Sequence, residues 1–267
     1  MKRIPVLIAL LFAGVMLFPL YILLKIALSD PSDIFAQPPP YLIRHFTWRH
    51  FHNVFTSGAS FFSPLVKSCL TGVLATSASI LIASPAAYAA SRLPFRVRSV
   101  FILVIFVTRM IPEISIALPV SISFIRLGLF DTTLGLTLAH LIRILPVTCF
   151  ILTGVFAAIP RELENQARID GADRLTVFRR VIVPLSAGGM TVAAVFSFLL
   201  SWDEFIYASY LTLAHPTMPL KMYYYVSRGD IFSSATYAVI ITIPVLIMTF
   251  ALQKYLKPDY LAGALKG

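Results

Sequence analysis

Six apolar runs separated by polar segments organise this chain: about Ile4–Leu28, Pro64–Ala90, Val100–Ile122, Leu134–Ile159, Ala187–Leu213 and Thr236–Leu256. Each is near or above the roughly 20 residues that a helix needs to cross hydrocarbon. The pattern predicts an all-α membrane protein with six transmembrane helices. Prolines stand inside the runs at Pro19, Pro85, Pro112, Pro146 and Pro244. In a bilayer they do not argue against helix, because neighbouring helices can re-satisfy the carbonyls they free.

Composition agrees with the pattern. Of 267 residues, 58% are hydrophobic and 13% charged, and the mean hydropathy is +0.84, which excludes a single water-facing core. The formal charge of +10 does not form a basic stripe with interleaved aromatics, so nucleic acid is not an expected partner and membrane lipid is. Lys and Arg gather instead beside one set of run ends: Lys2, Arg3, Arg92, Arg96, Arg98, Arg161, Arg168, Arg174, Arg179, Arg180, Lys254, Lys257 and Lys266. The opposite segments (Ser29–Ser63, Ser123–Thr133, Ala214–Ala235) hold fewer, offset by Asp30, Asp33, Asp131 and Asp230. The positive-inside rule then puts both termini in the cytoplasm. The start "MKRIPVLIALLFAGVMLF" also fits a signal peptide with a weak cleavage site at Ala27–Ser29, but its run exceeds the roughly 7–15 residues of such a core, which favours an uncleaved anchor. Cys69 and Cys149 both sit in apolar runs and read as small buried hydrophobes, not metal ligands or a disulfide.

The polar dozen "ENQARIDGADRL", Glu164–Leu175, interrupts this pattern between the fourth and fifth runs. Pro160 suits a first helical turn, and Glu162 and Glu164 suit the positive end of a helix dipole. A helix Arg161–Asp170 then meets Gly171, the usual residue where a helix stops with positive φ. Asp173 can cap a second helix, Arg174 to about Val183, before Pro184 returns the chain to the membrane. The result is a bent cytoplasmic knuckle whose apolar side is expected from Leu163, Ala167, Phe178 and Val181. From the residues alone, an amphipathic loop lying on the membrane surface fits as well.

"PRELENQARIDGADRLTVFRRVIVP" resembles the EAA loop of the permease subunits of ATP-binding-cassette importers. That pattern runs Glu-Ala-Ala, three residues, Gly, nine residues, Ile, one residue, Leu-Pro. Gly171 and Pro184 fall at the required spacing and Ala167 on the second alanine; Asn165, Gln166, Val181 and Val183 depart from it. "SWDEFIYASYLT" (Ser201–Thr212) resembles the "SWNEF" segment of carbohydrate permeases, and the tail "YLAGALKG" the C-terminus of the maltose-type second permease. The resemblance covers roughly Pro64–Gly267. It implies a type I importer permease fold, and a coupling helix seated on an ATPase subunit and built from Glu162, Glu164, Asn165, Ala167, Asp170, Gly171, Ala172 and Pro184. It also implies a second permease subunit, two ATPase subunits that hold the ATP and Mg, and an extracytoplasmic solute-binding protein. The implied cargo is a sugar, with polyols, glycerol-phosphate-type solutes or anionic sugars as alternatives, in a bacterial or archaeal cytoplasmic membrane. The chain then divides into a first span with its outer loop (1–62), a five-helix core with the coupling helix at about 160–184 (63–257), and a cytoplasmic tail (258–267).

Charge inside the spans is costly and therefore a functional hint. Arg109 and Glu113, four apart, can neutralise each other; Arg143 follows His140, and Asp203 and Glu204 end the fifth run beside Trp202. These six — Arg109, Glu113, Arg143, Trp202, Asp203 and Glu204 — are candidates for a translocation path, with paired or interface-snorkelling roles as the alternative. Trp202, Phe205, Tyr207 and Tyr210 suit either sugar faces or an interfacial aromatic belt. No phosphate loop, metalloprotease motif or nucleophile triad occurs, so no catalytic, metal-ligating or cofactor-binding residue is expected and ATP chemistry is assigned to other chains. An ion-coupled secondary transporter would show inverted repeats, and none is visible. A membrane-embedded enzyme would need a convergent catalytic set, which the spans do not supply.

Overall fold

A computed structural model describes residues 3–56 and 61–253. Lys2, Lys254, Lys257, Lys266, the "YLAGALKG" tail and residues 57–60 of the Ser29–Ser63 segment lie outside the described residues. Among the described residues every regular element is helical, apart from one isolated antiparallel bridge between Ser29 and Phe46. The helices are α1 (Arg3–Leu28), α2 (Pro31–Ile34), α3 (Arg49–Thr56), α4 (Phe62–Ser91), α5 (Phe95–Thr108), α6 (Glu113–Arg126) and α7 (Thr133–Ala157). There follow α8 (Arg161–Ile169), α9 (Arg174–Val177), a π turn (Phe178–Ile182), α10 (Val183–Leu185), α11 (Ala187–Trp202), α12 (Ile206–Leu211), α13 (Met218–Ser227) and α14 (Ile231–Gln253). Among the described residues four helices are long and apolar enough to cross a membrane, and up to six spans result if each of two bent pairs counts as one.

The first of those bends and a separate break after α11 correct two expected spans. Val100–Ile122 is not one helix. Pro112 has no N–H and disfavours helix at the residue before it, so α5 stops at Thr108 and α6 starts at Glu113, bent by 75°. Pro19, Pro85, Pro146 and Pro244 do lie inside helices, as expected. Ala187–Leu213 is likewise interrupted: α11 ends at Trp202 and α12 restarts at Ile206.

The chain divides into two compact units, Met1–Val66 with Pro216–Leu246, and Lys67–His215 with Ile247–Gly267. In the first, Ala27, Phe51 and Ala235 form one buried cluster, and Val54, Phe61, Met218 and Tyr237 another. The segment after α1 is folded. Lys25 Nζ donates to the carbonyl of Pro40. Asp33 is buried and accepts from the amides of His45 (2.7 Å) and Arg44 (3.1 Å) and from His45 Nδ1 (2.8 Å). His50 stacks on Phe232 with ring centroids 4.5 Å apart.

The second unit is built on α7, whose Leu136, Ala139, His140, Ile144, Leu152 and Phe156 are buried. Helix α11 runs along it. Close approach comes from small residues, since a Cβ on Gly189 would lie 2.5 Å from Val155 Cγ1. Thr148 and Ser197 add a hydroxyl hydrogen bond of 2.7 Å between the two helices. The loop before α7 is clamped by Asp131 (φ 56°), whose carboxylate accepts from the amides of Leu213 (3.1 Å), Ala214 (3.0 Å) and His215 (3.3 Å).

Candidate functional site

Two places in the second unit carry the residues singled out above. The first is the knuckle. Helix α8 opens after Pro160, with Glu162 and Glu164 in its first turn. It stops where Gly171 takes φ 88°; the Gly171 amide donates to the Arg168 carbonyl (3.0 Å) and the Ala172 amide to the Ala167 carbonyl (3.0 Å). Asp173 then caps α9, accepting from the Thr176 amide at 2.9 Å. The expected bend at glycine and cap at Asp173 are therefore both present. A π turn carrying Arg179 and Arg180 follows, and the chain bends by 78° into α11 around Ser186.

The knuckle's two faces differ from the expected ones. Ala167, Ala172 and Phe178 pack inward on a core of Ala83, Ala87, Phe156, Val177 and Ile182, and Val181 is half-buried. Of the four residues expected on an exposed apolar side, only Leu163 is exposed. The most exposed apolar residues of α8 and α9 are Ile169 (85% exposed) and Leu175 (52%), and Glu162, Asn165, Arg168, Asp170 and Arg174 are exposed in the same segment. Pro184 is exposed at the start of α10. Glu164 is turned inward. It is 4% exposed, pairs with Arg92, and accepts from the hydroxyl of Tyr88 at 2.8 Å. Composition gave no sign of these partners, 72 and 76 positions away.

The second place is a polar cluster where both interrupted spans meet α7. Arg109 Nη1 lies 3.3 Å from Glu113 across the α5–α6 bend, and donates to the Arg143 carbonyl at 2.9 Å. Arg143 reaches both Glu113 and Asp203, at 3.6 Å each. Arg109, Glu113 and Arg143 are half-buried, and Asp203 is exposed. Behind them Glu204 is 1% exposed and lies 3.2 Å from His140 Nε2. It also accepts from the amides of Tyr207 (2.7 Å) and Ala208 (3.0 Å), which restarts the helix as α12. His140 Nδ1 contacts Ser201 Oγ at 2.6 Å. Trp202 and Tyr207 are buried, Trp202 stacked on Phe198, so neither offers the sugar face or interfacial belt expected of them. Ser201 as a partner of His140, and Glu204 as a cap, were not apparent beforehand. Among the described residues no group of three or more His, Cys, Asp or Glu side chains is placed to hold a metal ion.

Residues 79–261 match a family described as "Binding-protein-dependent transport system inner membrane component". The chain belongs to this family. The similarity extends beyond the matched segment. The chain is 30% identical over 263 residues to the trehalose transport system permease protein SugB of Mycobacterium tuberculosis, covering 96% of this chain and 95% of that one. It is 30% identical to the diacetylchitobiose uptake system permease protein DasC of Streptomyces coelicolor, covering 96% and 94%. Identity is again 30% with the trehalose/maltose transport system permease protein MalG of Thermococcus litoralis, covering 100% and 98%. The fold matches that of a chain in a bacterial ABC transporter involved in the import of the acidic polysaccharide alginate, with TM-score 0.76, 20% identity and 96% of each chain covered. The permease is thus a multi-pass membrane protein with the fold of an ABC importer permease.

Proposed function

We propose that the chain is the transmembrane permease subunit of an ATP-driven importer that moves a sugar of di- or oligosaccharide size into the cytoplasm by alternating access. The family match carries the reading, because it contains both the knuckle and the polar cluster within residues 79–261. Three relatives whose names specify disaccharide cargo or its derivative support the substrate class. The polar cluster supports it too: Arg109 and Arg143 are met by Glu113 and Asp203, with Glu204 behind them, so a neutral polyhydroxyl solute meets donors and acceptors with no excess of cations to draw an anion. An anionic sugar is the less favoured cargo on that count.

In this reading the exposed face at Ile169 and Leu175 docks on an ATPase subunit, and both termini are cytoplasmic. The ATPase pair holds the ATP and Mg and performs the hydrolysis, and this chain performs none. A second permease subunit completes the pore and an extracytoplasmic solute-binding protein delivers cargo, with the Ser29–Ser63 segment meeting one of the two. Arg109, Glu113, Arg143 and Asp203 line the path, and Trp202 and Glu204 support them from behind.

The test is reconstitution of the permease in vesicles with a second permease subunit, the ATPase subunits and the binding protein. Sugar-dependent ATP hydrolysis and uptake, screened over trehalose, maltose, diacetylchitobiose and a uronate oligomer, are the expected result. Uptake driven by an ion gradient without ATP would overturn the proposal.

A further inference from the structure

One guanidinium joins three helix ends behind the knuckle. Arg92, just past the end of α4, pairs with Glu164 in the first turn of α8, its Nε 2.5 Å from Oε1. Its Nη1 donates at 2.9 Å to the carbonyl of Phe156, in the last turn of α7, which also accepts from the Ile159 amide at 3.2 Å. Arg161 returns a bond from α8 to the Arg92 carbonyl at 2.7 Å, and Tyr88 holds the second Glu164 oxygen. The Arg92 guanidinium also lies 5.3 Å from the centroid of the Tyr88 ring.

The energetics of such a pair favour position over stability. Withdrawing two charges from water consumes most of what their attraction returns, so a buried ion pair is weak evidence of a more stable fold. Its geometry is nonetheless stiff, because a forked guanidinium fixes both distance and orientation. Without it, the first turn of α8 would be held only by the Arg161 bond to the Arg92 carbonyl, with Ala167 packed on the core further along the helix, and a push on Ile169 or Leu175 would tilt the helix rather than shift its neighbours.

We propose that the Arg92–Glu164–Tyr88 tie makes the knuckle move as one body with the adjoining ends of α4 and α7, and that Glu164 acts as an internal positioning residue and not as a contact for the ATPase. The inference rests on the knuckle being the ATPase-docking segment. Force applied at the outward face then reaches two spans directly through the tie.

The experiment uses the full transporter in proteoliposomes and reads sugar uptake per ATP hydrolysed, together with ATPase recovery on pull-down. Glu164→Gln should lower uptake per ATP by on the order of tenfold, the factor equivalent to one lost charge-assisted hydrogen bond, while the ATPase still co-purifies. Tyr88→Phe keeps the ring packing against Phe156 and Phe178 and removes one hydroxyl, so its uptake per ATP should fall by about threefold. Arg92→Lys keeps the charge but loses the fork, and should lie between Glu164→Gln and wild type. If Glu164→Gln does not reach the membrane, Tyr88→Phe decides the matter alone. Wild-type coupling in Tyr88→Phe, or in a well-assembled Glu164→Gln, overturns the tie. Loss of ATPase recovery in a correctly inserted Glu164→Gln assigns the residue to docking and overturns it equally. A wild-type permease that recovers no ATPase sinks the functional reading itself, which separates the two failures.

Discussion

Gly171 is the residue whose local chemistry most constrains the knuckle. Its φ of 88° lies where a Cβ costs roughly 1 kcal/mol or more, although no neighbouring atom would obstruct one. Gly171→Val should therefore disturb the α8–α9 junction without affecting insertion. ATPase recovery and vesicle uptake are expected to fall together, and Asn165→Ala, at an exposed position, should lower both less. Full recovery and uptake in Gly171→Val would remove the knuckle from the docking surface. The loop aspartates supply a second residue-scale test. At Asp131 burial pushes the carboxyl pKa up, but the amides of Leu213, Ala214 and His215 and the His215 ring outweigh it and hold the pKa below the usual value. At Asp33 the His45 amide is the main cause of a lowering in the same direction. A depressed folded pKa contributes stability that is fully present above the unfolded value, about 3.9, and lost as pH falls through the folded one. Thermal midpoints in detergent should thus decline on acidification below about pH 4. Asp131→Asn, which keeps the shape without the charge, should flatten part of that decline. An unchanged acid limb would count against the clamp.

At the scale of elements, the two interrupted spans are built by opposite devices. Pro112 breaks the third by withholding an N–H and crowding the residue before it. Nothing of that kind stands at Asp203–Phe205; there a buried carboxylate gathers the first amides of a new helix. Glu204→Ala should leave those amides without their acceptor, at a cost of about 2 kcal/mol. A lowered thermal midpoint is the expected reading, with Glu204→Gln intermediate because one amide oxygen can still accept. A midpoint equal to wild type in Glu204→Ala would show that α12 is held by packing alone.

For the whole molecule, the cytoplasmic placement of the knuckle proposed from the Lys and Arg asymmetry is open to direct test. Cys69 is exposed, so it would first be replaced by Ser; Cys149 is buried. A cysteine at Arg174, an exposed position, should then stay unlabelled by a membrane-impermeant thiol reagent in intact cells and react in inside-out vesicles. Ready labelling from outside would invert the topology, and with it the docking assignment.

What was legible beforehand was what depends on local composition. Span number comes from a running sum of apolar residues, so six runs were visible without any knowledge of partners. The stop at Gly171 and the cap at Asp173 were visible for a similar reason, because positive φ and N-capping are chemistry of a few adjacent residues. The family match likewise agrees with the motif in which Gly171 and Pro184 stand. Tertiary structure alone decided the rest. A nine-residue helix with apolar and charged groups on several sides does not announce which side faces inward. Ala167 and Phe178 went to the core because Phe156 and Tyr88 wait there, leaving Ile169 outside. Glu164 looked like a surface charge favouring the helix dipole until Arg92, 72 positions earlier, was brought against it. Trp202 and Tyr207, apparent candidates for a sugar face, were folded inward. Hydropathy and capping are sums over neighbours along the chain, whereas the pairing of a buried charge depends on which distant residue the fold delivers to it.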